Sequence, residues 1–345
     1  APMRTAAHWG RGLRMQQDSL RAPVRQRRMR LAMAALVALT LASAALYEFA
    51  FINPKFFDYA LSLRTPRLLA ICTAGFAIAA ASLVFQTIIR NTIVTPCLLG
   101  MNSLYVLVHT LVVFVFGSGS VLAVNACAAF AVDLAVMGAA AYFIYNMIFA
   151  RTGGNVLYIL LIGTVLSTFF SSAQTSLTRI MDPNEYDALL NSLVANFSSV
   201  NAPLIAPALA LLAVVAIWLR REIAILDILS LGREMAVNLG VDYERCVRRL
   251  MLGVALYIAI ATALVGPLSF LGLITSNLAR QMFRTHRHSW LIAGSVLTGV
   301  LILAAGQFLV EHAARYSVPV SVFITIGGGA YFLYLILTAS RRQHA

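Results

Sequence analysis

Ten long apolar runs, near 31–49, 66–89, 98–116, 120–148, 155–177, 203–219, 248–266, 268–283, 290–309 and 319–340, constrain this chain more than any other feature. A helix needs about 20 apolar residues to cross about 30 Å of hydrocarbon. Inside lipid every backbone N–H and C=O must be hydrogen-bonded within the protein, which leaves helices and closed barrels, and these runs are far too long for barrel strands. Only 11% of the residues are charged and the mean hydropathy is +0.83, whereas a soluble domain carries about 25% charged residues. The expected fold is an all-α polytopic membrane protein of about ten transmembrane helices. Residues 31–340 form its membrane domain, between a basic tail at 1–30 and a short tail at 341–345.

The net charge of +13 invites a nucleic-acid reading, but its distribution argues against one. Assigning Lys and Arg to alternating sides of the ten runs places 21 on one side and 5 on the other, which accounts for all 26. The rich side holds eight Arg before residue 31, Arg90, Arg151, six from Arg220 to Arg249, Arg280, Arg284, Arg287, Arg341 and Arg342. The poor side holds Lys55, Arg64, Arg67, Arg179 and Arg315. That asymmetry puts both termini in the cytoplasm. The basic charge orients the protein, and no soluble module remains to hold nucleic acid. Residues 1–30, with Gly10, Gly12 and Pro23, are expected to be an irregular tail held near anionic headgroups. "ASA" at 42–44 resembles a signal-peptidase site. The apolar stretch continues through Leu46 and Tyr47, so this first helix is expected to stay as an anchor.

Enzyme chemistry finds no support. The six His are scattered, there is no metal-ligand spacing, and no nucleotide-binding or hydrolase motif is present. No directly bound cofactor or metal is expected. Cys72, Cys97, Cys127 and Cys246 have no plausible partner outside the cytoplasm, so no disulfide is expected either. His109 lies in a span without a second ligand at helical spacing and is read as a packed residue. Asp133 is the one acid deep in a span. Buried ionisable groups mark proton paths in ion-coupled carriers, so an ion-coupled secondary transporter using Asp133 is the alternative function. A packing role, bonded to Asn125 or a backbone carbonyl, fits Asp133 equally.

Three further patterns carry more weight. Thr164, Thr168, Ser171 and Thr175 recur at +4, +3 and +4 and so share a helix face, widened by Ser167 and Ser172. Small hydroxyls serve close helix packing or a wettable wall, and the width of this stripe favours a translocation path. In the outer loop, "MDPNEYDALLNSLV" predicts a short helix capped near Asp182 with Pro183 at its first position. On the basic side, "LGREMAVNLGVDYERC" (231–246) is charged yet half apolar. Met235 and Leu239 share a face, and Gly240 suits a left-handed helix cap. The segment is too short and polar to span, and it suits docking in a partner's groove.

"LGREMAVNLGV" resembles the "L-G-x-x-x-A-x-x-L-G-V" segment of the iron-siderophore and vitamin B12 ABC-importer permeases of FecCD type. Three more stretches match in the same order: 63–100 with its R-x-P-R, R-N and T-P-x-L-L-G elements, "VGPLSFLGLITSNLAR" (265–280) and "VPVSVFITIGGGAYFLYLIL" (318–337). There are departures: Ser276 and Asn277 stand where the family often has P-H, and "NTIV" (91–94) where it has N-P-L-A. "GQFLVEH" (306–312) and "TPCLLGMNSLY" (95–105) resemble the ferric-siderophore branch that works as an unlike pair.

The resemblance implies a type II ABC importer permease, a transport subunit in the bacterial cytoplasmic membrane. Its implied partners are a paralogous second permease subunit, two ATPase subunits that use ATP, and a periplasmic binding protein delivering ferric siderophore. Around 231–240 it implies an ATPase-coupling helix built from Leu231, Gly232, Glu234, Met235, Ala236, Leu239 and Gly240. It assigns Arg64 and Arg67 to docking of the binding protein's carboxylates.

Overall fold

A computed structural model describes residues 2–120, 125–152, 156–198 and 200–343. Among them the regular structure is entirely helical. In chain order the helices are α1 Pro2–Phe49, α2 Phe57–Ile89, α3 Met101–Phe116, α4 Ala126–Thr152, α5 Val156–Ile180, α6 Pro183–Leu193, α7 Ile205–Ala224, α8 Leu226–Leu229, α9 Arg233–Asn238, α10 Tyr243–Val265, α11 Leu271–Phe283, α12 His288–His312 and α13 Val320–Gln343. Among the described residues, each expected run lies largely on a helix. Six helical stretches are long and apolar enough to cross a bilayer: 26–49, 54–89, 126–144, 202–224, 243–265 and 288–312. The apolar helix 101–116 is shorter. Its 16 residues span about 24 Å at about 1.5 Å per residue.

The centre of the bundle is α2, packed against α10 and α12; α10 also meets α4 and α7, and α12 meets α11 and α1. Small residues make these approaches close. A Cβ on Gly75 of α2 would lie 3.0 Å from the backbone of Val300 in α12. One on Gly272 of α11 would overlap the Ser82 hydroxyl of α2. Without a hydrophobic drive between helices in lipid, such backbone contact is what holds them. Around this centre, Val214, Ile217, Ile326 and Leu333 are exposed on α7 and α13. That is how a surface looks when its solvent is hydrocarbon.

Three expectations need correction. The segment 2–30 is helical and continuous with α1, because its Arg, Leu, Met, Ala and Gln residues are good helix formers despite Gly10, Gly12 and Pro23. At the other end, Arg341 and Gln343 continue α13. Finally, α2 starts at Phe57, nine residues before the expected run, so Arg64 and Arg67 lie within the helix. By contrast, α6 forms as expected: Asp182 caps it by accepting from the Asn184 N–H at 2.8 Å, with Pro183 at its first position.

Candidate functional site

At one end of α2 the chain builds a small projecting element. The single turn α8 is anchored by buried Leu226 and Leu229. α9 then runs for six residues between two glycines with left-handed backbones, Gly232 at φ +103° and Gly240 at φ +81°. The end of α9 is closed by two backbone bonds, Gly240 N–H to Val237 O at 2.9 Å and Val241 N–H to Ala236 O at 3.0 Å. This is the double closure that a glycine just past a helix permits. The Arg90 side chain at the end of α2 lies close to Gly232, its guanidinium 3.0 Å from where a Cβ would stand.

Ala236 is fully buried and turns α9 toward the bundle. Leu231, Met235, Val237 and Leu239 are 55%, 58%, 54% and 60% exposed. Four large apolar side chains thus stand on one short, rigid element, beside exposed Glu234. Of the residues named from sequence, Gly232 and Ala236 fasten the element and the others face outward. Val237 and Arg90 were missed, although Arg90 lies in the R-N match.

The hydroxyl stripe on α5 lines an open recess of about 560 Å³ formed by Ser167, Thr168, Ser171, Ser172, Thr175, Ser176 and Arg179. Thr164 lies a turn away, outside the lining. Three of the six lining hydroxyls donate to their own helix, Thr168 to Thr164 O, Thr175 to Ser171 O and Ser176 to Ser172 O, as does Thr164 to Leu161 O, at 2.7–3.0 Å. Donation to a preceding carbonyl is the usual resting state of a helical Ser or Thr. These hydroxyls turn acceptor lone pairs toward the recess, wettable but weak, beside the charged Arg179 guanidinium. Ser103 of α3 bonds Ser167 at 2.9 Å and Ser171 at 3.2 Å, fixing one wall. Ser176 and Arg179 continue the +4 spacing from Ser172 and Thr175, a signal the sequence reading left unused.

At the opposite end of α2, Arg64 and Arg67 turn inward. Arg64 donates to the carbonyls of Tyr47, Glu48 and Ala50 at 3.1, 3.2 and 2.7 Å, closing the end of α1. Both guanidiniums meet Glu311 of α12, Arg67 at 3.3 Å and Arg64 at 4.0 Å. The side chains are 14%, 18% and 4% exposed for Arg64, Arg67 and Glu311. Tyr47 donates to the same carboxylate at 2.8 Å. In this chain the pair fastens α1, α2 and α12 together.

Asp133 faces a titratable neighbour on another helix, without a hydrogen bond to its Oδ1. His109 Nδ1 of α3 lies 3.4 Å from its carboxylate, with the Tyr105 ring 4.3 Å from the imidazole. Asn125, the neighbour expected from sequence, instead caps α4 by accepting from the N–H groups of Cys127 and Ala128 at 3.0 and 3.3 Å.

A multi-pass helical bundle with a wettable recess along one helix and an exposed apolar element at one end is the build of a membrane transport permease. The comparisons agree and go further: residues 31–338 match the FecCD transport family, and the chain belongs to it. The petrobactin import system permease protein YclO of Bacillus subtilis is 38% identical over 314 residues, covering 91% of this chain and 99% of the relative. The petrobactin import system permease protein FatC of Bacillus anthracis is 31% identical, covering 79% of this chain and 77% of its own. A solved metal-chelate type ABC transporter in an inward-facing conformation shares the fold, with a TM-score of 0.75 and 21% identity over 90% of this chain and 99% of that one. Family membership makes the chain a transport subunit and speaks against a carrier driven through Asp133.

Proposed function

We propose that this chain is the membrane-spanning permease subunit of an ATP-driven importer for ferric siderophore. It crosses the bacterial cytoplasmic membrane ten times, with both termini and α9 in the cytoplasm. A paralogous subunit completes the path, and a periplasmic binding protein delivers the cargo at the outer face, where Arg64 and Arg67 hold α1, α2 and α12 together. Each of two ATPase subunits takes an α9 element in a groove. In this reading the α5 recess faces the partner subunit across the path, and no cofactor or metal is held by the permease itself.

The observation that carries the reading is α9. Four exposed apolar side chains in water are costly to keep uncovered, each being worth about 1.5–3 kcal/mol on burial. Their rigid mounting between Gly232 and Gly240 suits a lever. The cargo rests on the relatives, of which YclO and FatC are named for petrobactin import.

The test is reconstitution in liposomes with the second permease, the ATPase and the binding protein, scored by uptake of radiolabelled ferric petrobactin. Uptake should require ATP inside, survive collapse of the proton gradient, and persist in Asp133→Asn. Uptake driven by a proton gradient without ATP, and lost in Asp133→Asn, would replace the importer with a carrier.

A further inference from the structure

Asp227 sits in α8, directly before α9, and its side chain reaches the start of α12. Its Oδ1 accepts from the backbone N–H of His288 at 2.8 Å and lies 2.5 Å from His288 Nδ1, which donates to it. The first N–H groups of a helix have no partner within it. Arg287, the residue before α12, supplies no side-chain cap. Asp227, 61 residues earlier, therefore does for α12 what an N-cap carboxylate normally does from the adjoining position. Its negative charge also suits the positive end of the helix dipole.

Burial pushes the Asp227 carboxyl up, but the two His288 hydrogen bonds and the charges of His288 and Arg287 outweigh it, so the group stays below the usual carboxylate range and is ionised. Arg280 and His286 are the other charged or titratable groups acting on the His288 ring. The ring is buried while the Asp227 side chain is half exposed, so the joint rests on its two hydrogen bonds to His288.

The neighbouring contacts show what the joint connects. Leu226 and Leu229 bury α8 in the bundle, where it packs on α2. The Arg90 side chain at the end of α2 lies against Gly232, the pivot into α9. α12 in turn packs against α2 and α11, the closely approached centre of the molecule.

We propose that Asp227 is a positioning residue: by capping α12 from α8 it ties the α9 element to α12, so that movement imposed on α9 by the ATPase is delivered to the bundle centre. This rests on the permease reading above.

The experiment uses the full transporter in nanodiscs and compares Asp227→Ala with Asp227→Asn, which keeps an oxygen for the His288 N–H. ATPase affinity and basal ATP turnover should stay within about twofold of the parent in both variants, while turnover stimulated by loaded binding protein falls about tenfold in Asp227→Ala. Asp227→Asn should recover it to within about threefold of the parent. Recovery by the conservative variant, with docking intact, is not what a residue of the docking face would give. Should Asp227→Ala fail to insert, His288→Phe removes only the ring donor and should lower stimulated turnover about threefold. Stimulated turnover equal to the parent's in the inserted variant overturns the proposal. So does loss of ATPase binding, which would place Asp227 in the docking face. If the unaltered chain binds no ATPase at all, the permease reading fails, and this joint with it.

Discussion

The two ends of α2 invert each other. At the α9 end, apolar side chains that would normally be covered stand in the open: Leu231, Met235, Val237 and Leu239. At the other end, charged side chains that would normally face water are folded in, with Arg64 and Arg67 closing on Glu311. A residue's chemical type therefore does not say whether it joins this chain to a partner or to itself; exposure does. Apolar side chains left uncovered on a rigid mount point to something that will cover them. Charges already matched inside the chain have little left to offer outside.

The sharpest way to break that contrast is Glu311→Ala. It removes the acceptor shared by Arg64, Arg67 and Tyr47, and loss of one partner from a buried ion pair costs about 3–5 kcal/mol. Thermal unfolding in nanodiscs should show a clear drop in stability. Stability equal to the parent's would mean that the arginines are not held and are free to meet a binding protein.

Leu239→Asp should do the reverse. It should leave unfolding unchanged, because the side chain already stands in water, and weaken ATPase capture by about 2–4 kcal/mol through lost burial and the cost of desolvating a charge. A variant that unfolds more easily yet still captures the ATPase would turn α9 into an ordinary part of the fold. The smallest effect belongs to Arg233→Ala. Its pair with Glu244 at 2.9 Å is exposed on both sides, so its loss should change stability by less than about 1 kcal/mol. A larger loss in an unfolding measurement would show that α9 depends on that pair rather than on Ala236 and its glycines.

What the sequence made legible was local. Hydropathy found the long apolar helices because lipid demands uninterrupted apolar length. The +4, +3, +4 spacing found the α5 face because a helix repeats every 3.6 residues. Gly240 was readable because few other residues tolerate a left-handed turn. The pairings that crossed the chain were not legible. Glu311 lies 244 residues from Arg67, and Asp133 meets His109 rather than nearby Asn125. Asp227 finds His288 only because α8 folds back to the start of α12. Each of these depends on which helices become neighbours, and periodicity within one helix carries no such information. The early start of α2 escaped for a related reason: residues 57–65 are mixed in polarity and helical by continuity with the apolar run that follows.

The hydroxyls of Thr168, Thr175 and Ser176, already donating to their own backbone, bear on speed as well as on wetting. A solute crossing between two membrane faces is delayed wherever it is held, and every 1.4 kcal/mol of grip lengthens its stay about tenfold. A wall whose hydroxyl donors are occupied offers a passing anion little to hold, which leaves the Arg179 guanidinium as the charged grip in the recess lining. If the proposed path runs along α5, dwell time there should depend on Arg179 far more than on the hydroxyls.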